Sequence, residues 1–224
     1  MLPHEPRTLS KAEGASLAIH ASRSDVYNTN CDLCTGTRVY ANMSKRIIAI
    51  VGMPGAGKSV VAAALEAKGL LRIHFGDLTE HELDQRGLPV NEANERHVRE
   101  DLRNTHGMAA YALLNLPRID AALETSDVVV DGLYSWEEYV LLKERYGERL
   151  VTLAVVSSPR TRQERLSSRP VRPLTPDELA SRDRSEIEKT NKGGPIAMAD
   201  ITLINEDSLE ALERQAGVVA EGLK

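Results

Sequence analysis

From Lys45 onward the apolar positions fall into short continuous runs separated by longer amphipathic stretches, and this alternation predicts an α/β domain. Five runs read as strands: Ile47–Val51, Leu71–Phe75, Val128–Asp131, Leu150–Val156 and Ile201–Ile204. Each is rich in β-branched residues and bounded by charge or turn residues. Apolar runs without alternation predict a sheet covered on both faces. Among the helical stretches, residues 135–146 are the best delimited, with Ser135 as N-cap, Glu138 at the capping-box position and Gly147 at the end. Residues 76–127, between the second and third strands, carry mostly helical patterning and are too many for a simple crossover. They are expected to fold as a substrate-binding helical lobe, with Pro117 breaking or kinking it after Leu116.

Residues 1–42 follow neither a helical nor a strand period and hold four basic and four acidic residues. They are expected to form a disordered extension, with a single domain over 43–224. Met43 stands directly before the first strand and offers an alternative natural start. The extension holds the chain's two cysteines, Cys31 and Cys34, as a CxxC pair. With only His4 and His20 as irregularly spaced further donors, incidental cysteines are the expected reading rather than a zinc or redox site.

Composition then removes whole classes. No apolar run approaches the ~18 residues of a membrane-spanning helix, so a membrane protein is not expected. The balance of 28 basic against 33 acidic residues gives a net charge of −5, and only 4% of residues are aromatic. A broad basic footprint with stacking aromatics, the usual requirement for nucleic-acid binding, is therefore missing. Two cysteines exclude a disulfide framework and suit a reducing cytoplasm, the expected location.

The chemistry is announced by Gly52-Met53-Pro54-Gly55-Ala56-Gly57-Lys58-Ser59, a full GxxxxGK[ST] motif between the strand Ile47–Val51 and a helix over 58–68. Glycines let backbone N–H groups converge on phosphate oxygens, and the helix N-terminus adds partial positive charge. Residues Gly52 through Val60 are thus the expected nucleotide-binding set, with Lys58 reaching the β- and γ-phosphates and Ser59 giving its hydroxyl to Mg²⁺. ATP and Mg²⁺ are the expected cofactors. A GTPase is not indicated: Asn191-Lys192 is followed by Gly193-Gly194 without an aspartate, and Asp131-Gly132-Leu133-Tyr134 lacks the switch spacing. A small phosphotransferase is the leading class.

The P-loop, Gly76-Asp77 after the second strand, Asp131-Gly132 after the third, and the terminal segment 199–209 together resemble the nucleoside monophosphate kinases. The similarity is greatest to the dephospho-CoA kinases and to adenylate-kinase-related P-loop kinases. It implies a three-layer P-loop fold with a five-stranded parallel sheet, a helical acceptor lobe and a short arginine-bearing lid. It further implies transfer of the γ-phosphoryl of ATP to a nucleotide or nucleotide-like acceptor, such as a nucleoside monophosphate or dephospho-CoA.

Individual residues can be matched to those roles. Arg160, Arg162, Arg165 and Arg169 follow the fourth strand, the last three at helical spacing, and form a candidate phosphate clamp with Arg165 and Arg169 as catalytic residues. Arg172 and Arg184 are further lid candidates. Asp77 is placed to orient or deprotonate an acceptor hydroxyl, or to cap the helix that follows. Asp131, closing its strand, is the expected Mg²⁺-side carboxylate and borders the acceptor. In the helical lobe, Arg86 and Arg103, and less strongly Arg99, are candidates for the acceptor's phosphate. Histidines 74, 81, 97 and 106 lack metal-ligand spacing and are expected to be satisfied or solvent-facing. A second reading is a regulatory ATPase whose helical lobe binds a protein or RNA partner, with the −5 charge favouring protein.

Overall fold

A computed structural model of the chain describes residues 45–170 and 173–222. The extension with Cys31 and Cys34 lies outside them, as does Arg172. The five expected strands form one sheet: β1 (Ile47–Val51), β2 (Leu71–His74), β3 (Val128–Asp131), β4 (Leu150–Val156) and β5 (Ile201–Ile204). All neighbours are parallel, in the order β2-β3-β1-β4-β5.

Alternate residues of the central strands feed two separate cores. Ile47, Ala49, Val51, Val128 and Val130 face one, and Ile48, Ile50, Val129, Leu153 and Val155 face the other. Helices α1 (Lys58–Ala67) and α9 (Leu209–Gly222) cover the second face with Val61, Leu65, Leu212 and Ala216. The first face is covered by α4 (Ala110–Leu123) and α5 (Trp136–Tyr146), with α2 (Asp77–Gln85) and α3 (Glu92–His106) packed beside them as the lobe. Double coverage therefore holds for β1, β3 and most of β4. The edge strands depart from it, Leu71 being 45% and Ile204 63% exposed, because each edge strand has a neighbour on one side only. The remaining helices are α6 (Pro159–Ser168), α7 (Pro176–Glu188) and α8 (Gly193–Ala197).

Local signals act where expected. Ser135 and Glu138 make the reciprocal capping box of α5, and Thr175 with Glu178 does the same for α7, whose first residue is Pro176. One expectation, the break at Pro117, is corrected, and one alternative, the cap by Asp77, is removed. Helix α4 runs unbroken through Pro117. The proline sits on its exposed side while Tyr111, Ile119 and Leu123 are buried on the other, so packing holds the helix across the lost N–H. Asp77 does not cap α2: it is the first helical residue, Gly76 precedes it, and its carboxylate turns back to His74.

From β1 the chain runs to β2 and β3 on one side, and after β3 it crosses β1 to β4 and β5 on the other. The carboxyl ends of the strands consequently surround the loop after β1, the place where open α/β sheets bind ligands.

Candidate active site

The loop after β1 is closed by an Ala56 N–H bond to the Met53 carbonyl, and α1 begins at Lys58. Gly52 and Gly57 have φ of 155° and 103°; a Cβ at Gly52 would lie 2.3 Å from the Val155 carbonyl oxygen, and one at Gly57 2.4 Å from Asn205 Nδ2. Only glycine allows this backbone and this closeness. Lys58 Nζ donates to the carbonyls of Gly52 (2.9 Å) and Met53 (3.1 Å), so the loop holds its own lysine. Burial, with the Lys192 ammonium nearby, brings the Lys58 pKa down to about 8.

A cleft of about 260 Å³ opens above the loop. One wall carries Pro54, Gly55, Lys58 and Ser59; another, from β2 and β3, carries His74, Asp131, Gly132 and Tyr134; the lid side adds Leu166, Arg169, Arg182, Glu186 and Lys192. The cleft thus joins Lys58, Ser59, Asp131 and Arg169, which lie far apart in the chain.

Asp131 is buried, and Arg72 Nη2 donates to its Oδ2 at 2.5 Å. Arg72 escaped the sequence reading, although a charge in Leu71-Arg72-Ile73-His74 breaks the apolar run and marks a polar face. Across the β2–β3 register His74 stands opposite Asp131. His74 Nδ1 is 3.0 Å from Asp77 Oδ1, and Asp77 Oδ2 accepts from Arg118 Nη2 at 3.2 Å. The imidazole rests against Gly76, where a Cβ would lie 2.4 Å from its Cε1. The default of a satisfied or solvent-facing histidine did not anticipate His74 in the cleft lining; Asp77, which holds it, is itself outside that lining. Tyr134, half-buried beneath Lys192, packs edge-on against Tyr111, and desolvation of its hydroxyl, with the Asp131 carboxylate nearby, raises its pKa well above the usual tyrosine value.

The arginines after β4 divide among several tasks. Arg162 is buried, forks onto both Asp183 oxygens (2.8 and 2.6 Å) and donates to the Pro54 carbonyl, so it braces the P-loop from behind. Arg165 bonds Ser157 Oγ, the carbonyls of Asn205 and Asp207, and Asn205 Oδ1. It lines a second hollow of about 190 Å³ with Gly57, Val60, Asn205, Asp207, Leu209 and Leu212. Arg160 and Arg184 are exposed and outside the cleft lining. Arg86 is held by Glu82 and Asp101, and Arg99 by Glu92 and Glu95; neither is part of the cleft lining. Arg103 lies over the Tyr111 ring, 5.5 Å from its centre, and is likewise outside that lining. Lys192, Glu186 and Arg182 were missed because Asn191-Lys192 reads only as a failed purine motif, and nothing local ties Lys192 to residue 58.

Fold and loop together define a P-loop NTPase fold of the kinase-like group. A family model described as an AAA domain matches residues 48–189. The UPF0200 protein of Thermococcus sibiricus is 34% identical over 181 residues, covering 79% of this chain and 95% of the relative. That of Hyperthermus butylicus is 37% identical over 172 residues, covering 76% and 90%. The chain belongs to this P-loop family of UPF0200 proteins. Among solved structures, TT1252 from Thermus thermophilus shares the fold with a TM-score of 0.56 at 24% identity, over 80% of this chain and 98% of that one. A shikimate kinase from Bacteroides thetaiotaomicron has a TM-score of 0.50 at 17% identity, over 79% and 98%.

Proposed function

We propose that this protein is an ATP-dependent phosphotransferase that moves the γ-phosphoryl group to a hydroxyl of a small, nucleotide-like acceptor. The observation that carries this reading is one cleft lined by the P-loop pair Lys58 and Ser59 together with Asp131 and His74, the last held from outside the lining by Asp77.

The two hollows support a place for the donor. The notch between Arg165 and the segment after β5 has apolar walls from Val60, Leu209 and Leu212 and suits a flat base, while the cleft suits phosphates. The glycine cradle at the N-terminus of α1 supplies converging N–H groups, and Lys58 supplies charge. Ser59 and Asp131 are the groups to hold Mg²⁺. Both line the cleft, and a hydroxyl and a carboxylate are the hard oxygen donors that this ion takes beside phosphate and water. When bound, Mg²⁺ neutralises charge on the β- and γ-phosphate oxygens.

Acceptor class follows from the Asp77–His74 pair. A phosphate acceptor is already ionised at neutral pH and needs no base, whereas a hydroxyl does. With Asp77 taking the Nδ1–H, the His74 Nε2 lone pair is the available base, and Arg118 fixes the other Asp77 oxygen. As the acceptor O–H bond breaks, its proton passes to Nε2; the oxygen bonds the γ-phosphorus, and the bond to the β-phosphate oxygen breaks with ADP keeping the electron pair.

The test is ADP release over a panel of nucleosides, dephospho-CoA and nucleoside monophosphates. Stimulation by hydroxyl acceptors, lost on the order of 10²-fold in His74→Asn, is expected. Stimulation by monophosphates alone refutes the hydroxyl assignment. No stimulation by any compound, with slow ATP hydrolysis, refutes the transferase reading in favour of a regulatory ATPase.

A further inference from the structure

Lys192 is the second lysine at the cleft, and nothing in the P-loop motif requires it. Its side chain is 3% exposed. Among the described residues its ammonium meets one hydrogen-bond acceptor, Glu186 Oε2 at 2.5 Å, while the Tyr134 ring centre lies 5.2 Å away. An ammonium has three donors, so the pair leaves donor capacity directed at the cleft that Lys192 shares with Lys58, Ser59 and Asp131. Glu186 is itself shared, its other oxygen lying 3.4 Å from Arg182 Nε.

The backbone around Lys192 is firmly held. Asn191 has φ of 51°, the one positive value at a non-glycine among the described residues. The Lys192 N–H and the Thr190 hydroxyl both donate to the Glu186 carbonyl, at 3.2 and 2.6 Å, and Trp136 N–H donates to the Thr190 carbonyl at 3.3 Å. Gly194 abuts the Trp136 ring, where a Cβ would come within 2.6 Å. Asparagine takes the left-handed geometry readily, so this turn after α7 fixes the Lys192 backbone at little cost. Lys58 and Lys192 line the same cleft, and an anion between them meets two ammonium groups.

We propose that Lys192 is a second phosphate-binding lysine that contacts the terminal phosphate of a bound nucleoside triphosphate, with Glu186 holding its ammonium in position until the phosphate arrives. The choice of terminal phosphate follows from direction. The base notch lies at Gly57, Val60 and Arg165, and a chain of phosphates running from it across the start of α1 ends against Asp131, Tyr134 and Lys192. Lys58 grips the middle of that chain and Lys192 its end. This inference rests on the nucleotide site proposed above but not on any acceptor.

Calorimetric titration of the full chain with Mg²⁺ and either ADP or the β,γ-imido analogue of ATP tests it. Lys192→Met is expected to weaken the triphosphate 10-fold or more and ADP less than 3-fold, with Lys192→Arg restoring much of the difference. Because Lys192→Met leaves the half-buried Glu186 carboxylate with Arg182 as its remaining cationic partner, Lys192→Met/Glu186→Gln provides a form without that excess charge, and the same selective loss is expected in it. Equal losses for both nucleotides, or none, in the double variant overturn the proposal while leaving the nucleotide site intact. Failure of the wild-type chain to bind either nucleotide overturns the site reading and this proposal together.

Discussion

Glu138 is fully buried at the start of α5, where one carboxylate oxygen accepts from the N–H groups of Tyr134 (2.7 Å) and Ser135 (3.2 Å) and the other has no partner. Burial pushes its pKa from 4.5 up to about 7, against the opposing pull of those N–H groups and of Arg103. The folded value lies above the unfolded one, so the folded state binds the proton more tightly. The stability present at low pH is therefore lost as pH rises from about 4.5 to about 7, and the loss is complete above it. At 1.36 kcal/mol per unit the full loss is about 3 kcal/mol, of which about 2.5 kcal/mol falls between pH 5 and 8. Glu138→Gln keeps the shape and an acceptor oxygen for both cap bonds but cannot ionise. Stability relative to wild type should therefore be about 2 to 3 kcal/mol better at pH 8 than at pH 5, read by urea unfolding at each pH. Comparing the two pH values cancels any constant change in the cap bonds. A difference between the two proteins that does not vary with pH refutes the assignment of a raised Glu138 pKa.

Lys58→Ala should reduce phosphoryl transfer on the order of 10²-fold or more, about 3 kcal/mol of transition-state stabilisation, with the circular dichroism of the fold retained; unchanged turnover refutes its role. Wild-type nucleotide affinity should also weaken above pH about 8, where the free site loses the Lys58 proton, and the alanine variant should lack that step in pH-dependent titrations. Pro117→Ala, on the exposed side of α4, restores a donor to the Leu113 carbonyl and should stabilise the protein by about 1–2 kcal/mol in urea unfolding. A fall in stability would mean that the proline is shaped to its site.

The sequence by itself determined the five strands, the P-loop with its helix, and the capping box of α5. Each rests on neighbours within a few residues: β-branched apolar runs, glycines where backbone must approach closely, Ser135 three residues before Glu138. The same local rules also predict a break at Pro117, which the helix does not show, and leave a capping alternative open for Asp77, which Gly76 takes instead. Burial of Tyr111, Ile119 and Leu123 outweighs the lost helical bond, and His74 draws Asp77 away from a cap. Which charges share a site is settled by the folded arrangement alone. Arg86 and Arg162 are each claimed by carboxylates, while His74 and Lys192, unremarkable in their local sequence, line the cleft with Lys58. Ion pairing and burial depend on distances between residues brought together by the parallel crossovers, and no local pattern encodes them. A chain with net charge −5 can still present a phosphate site, because the order β2-β3-β1-β4-β5 gathers its cleft cations at one end of the sheet.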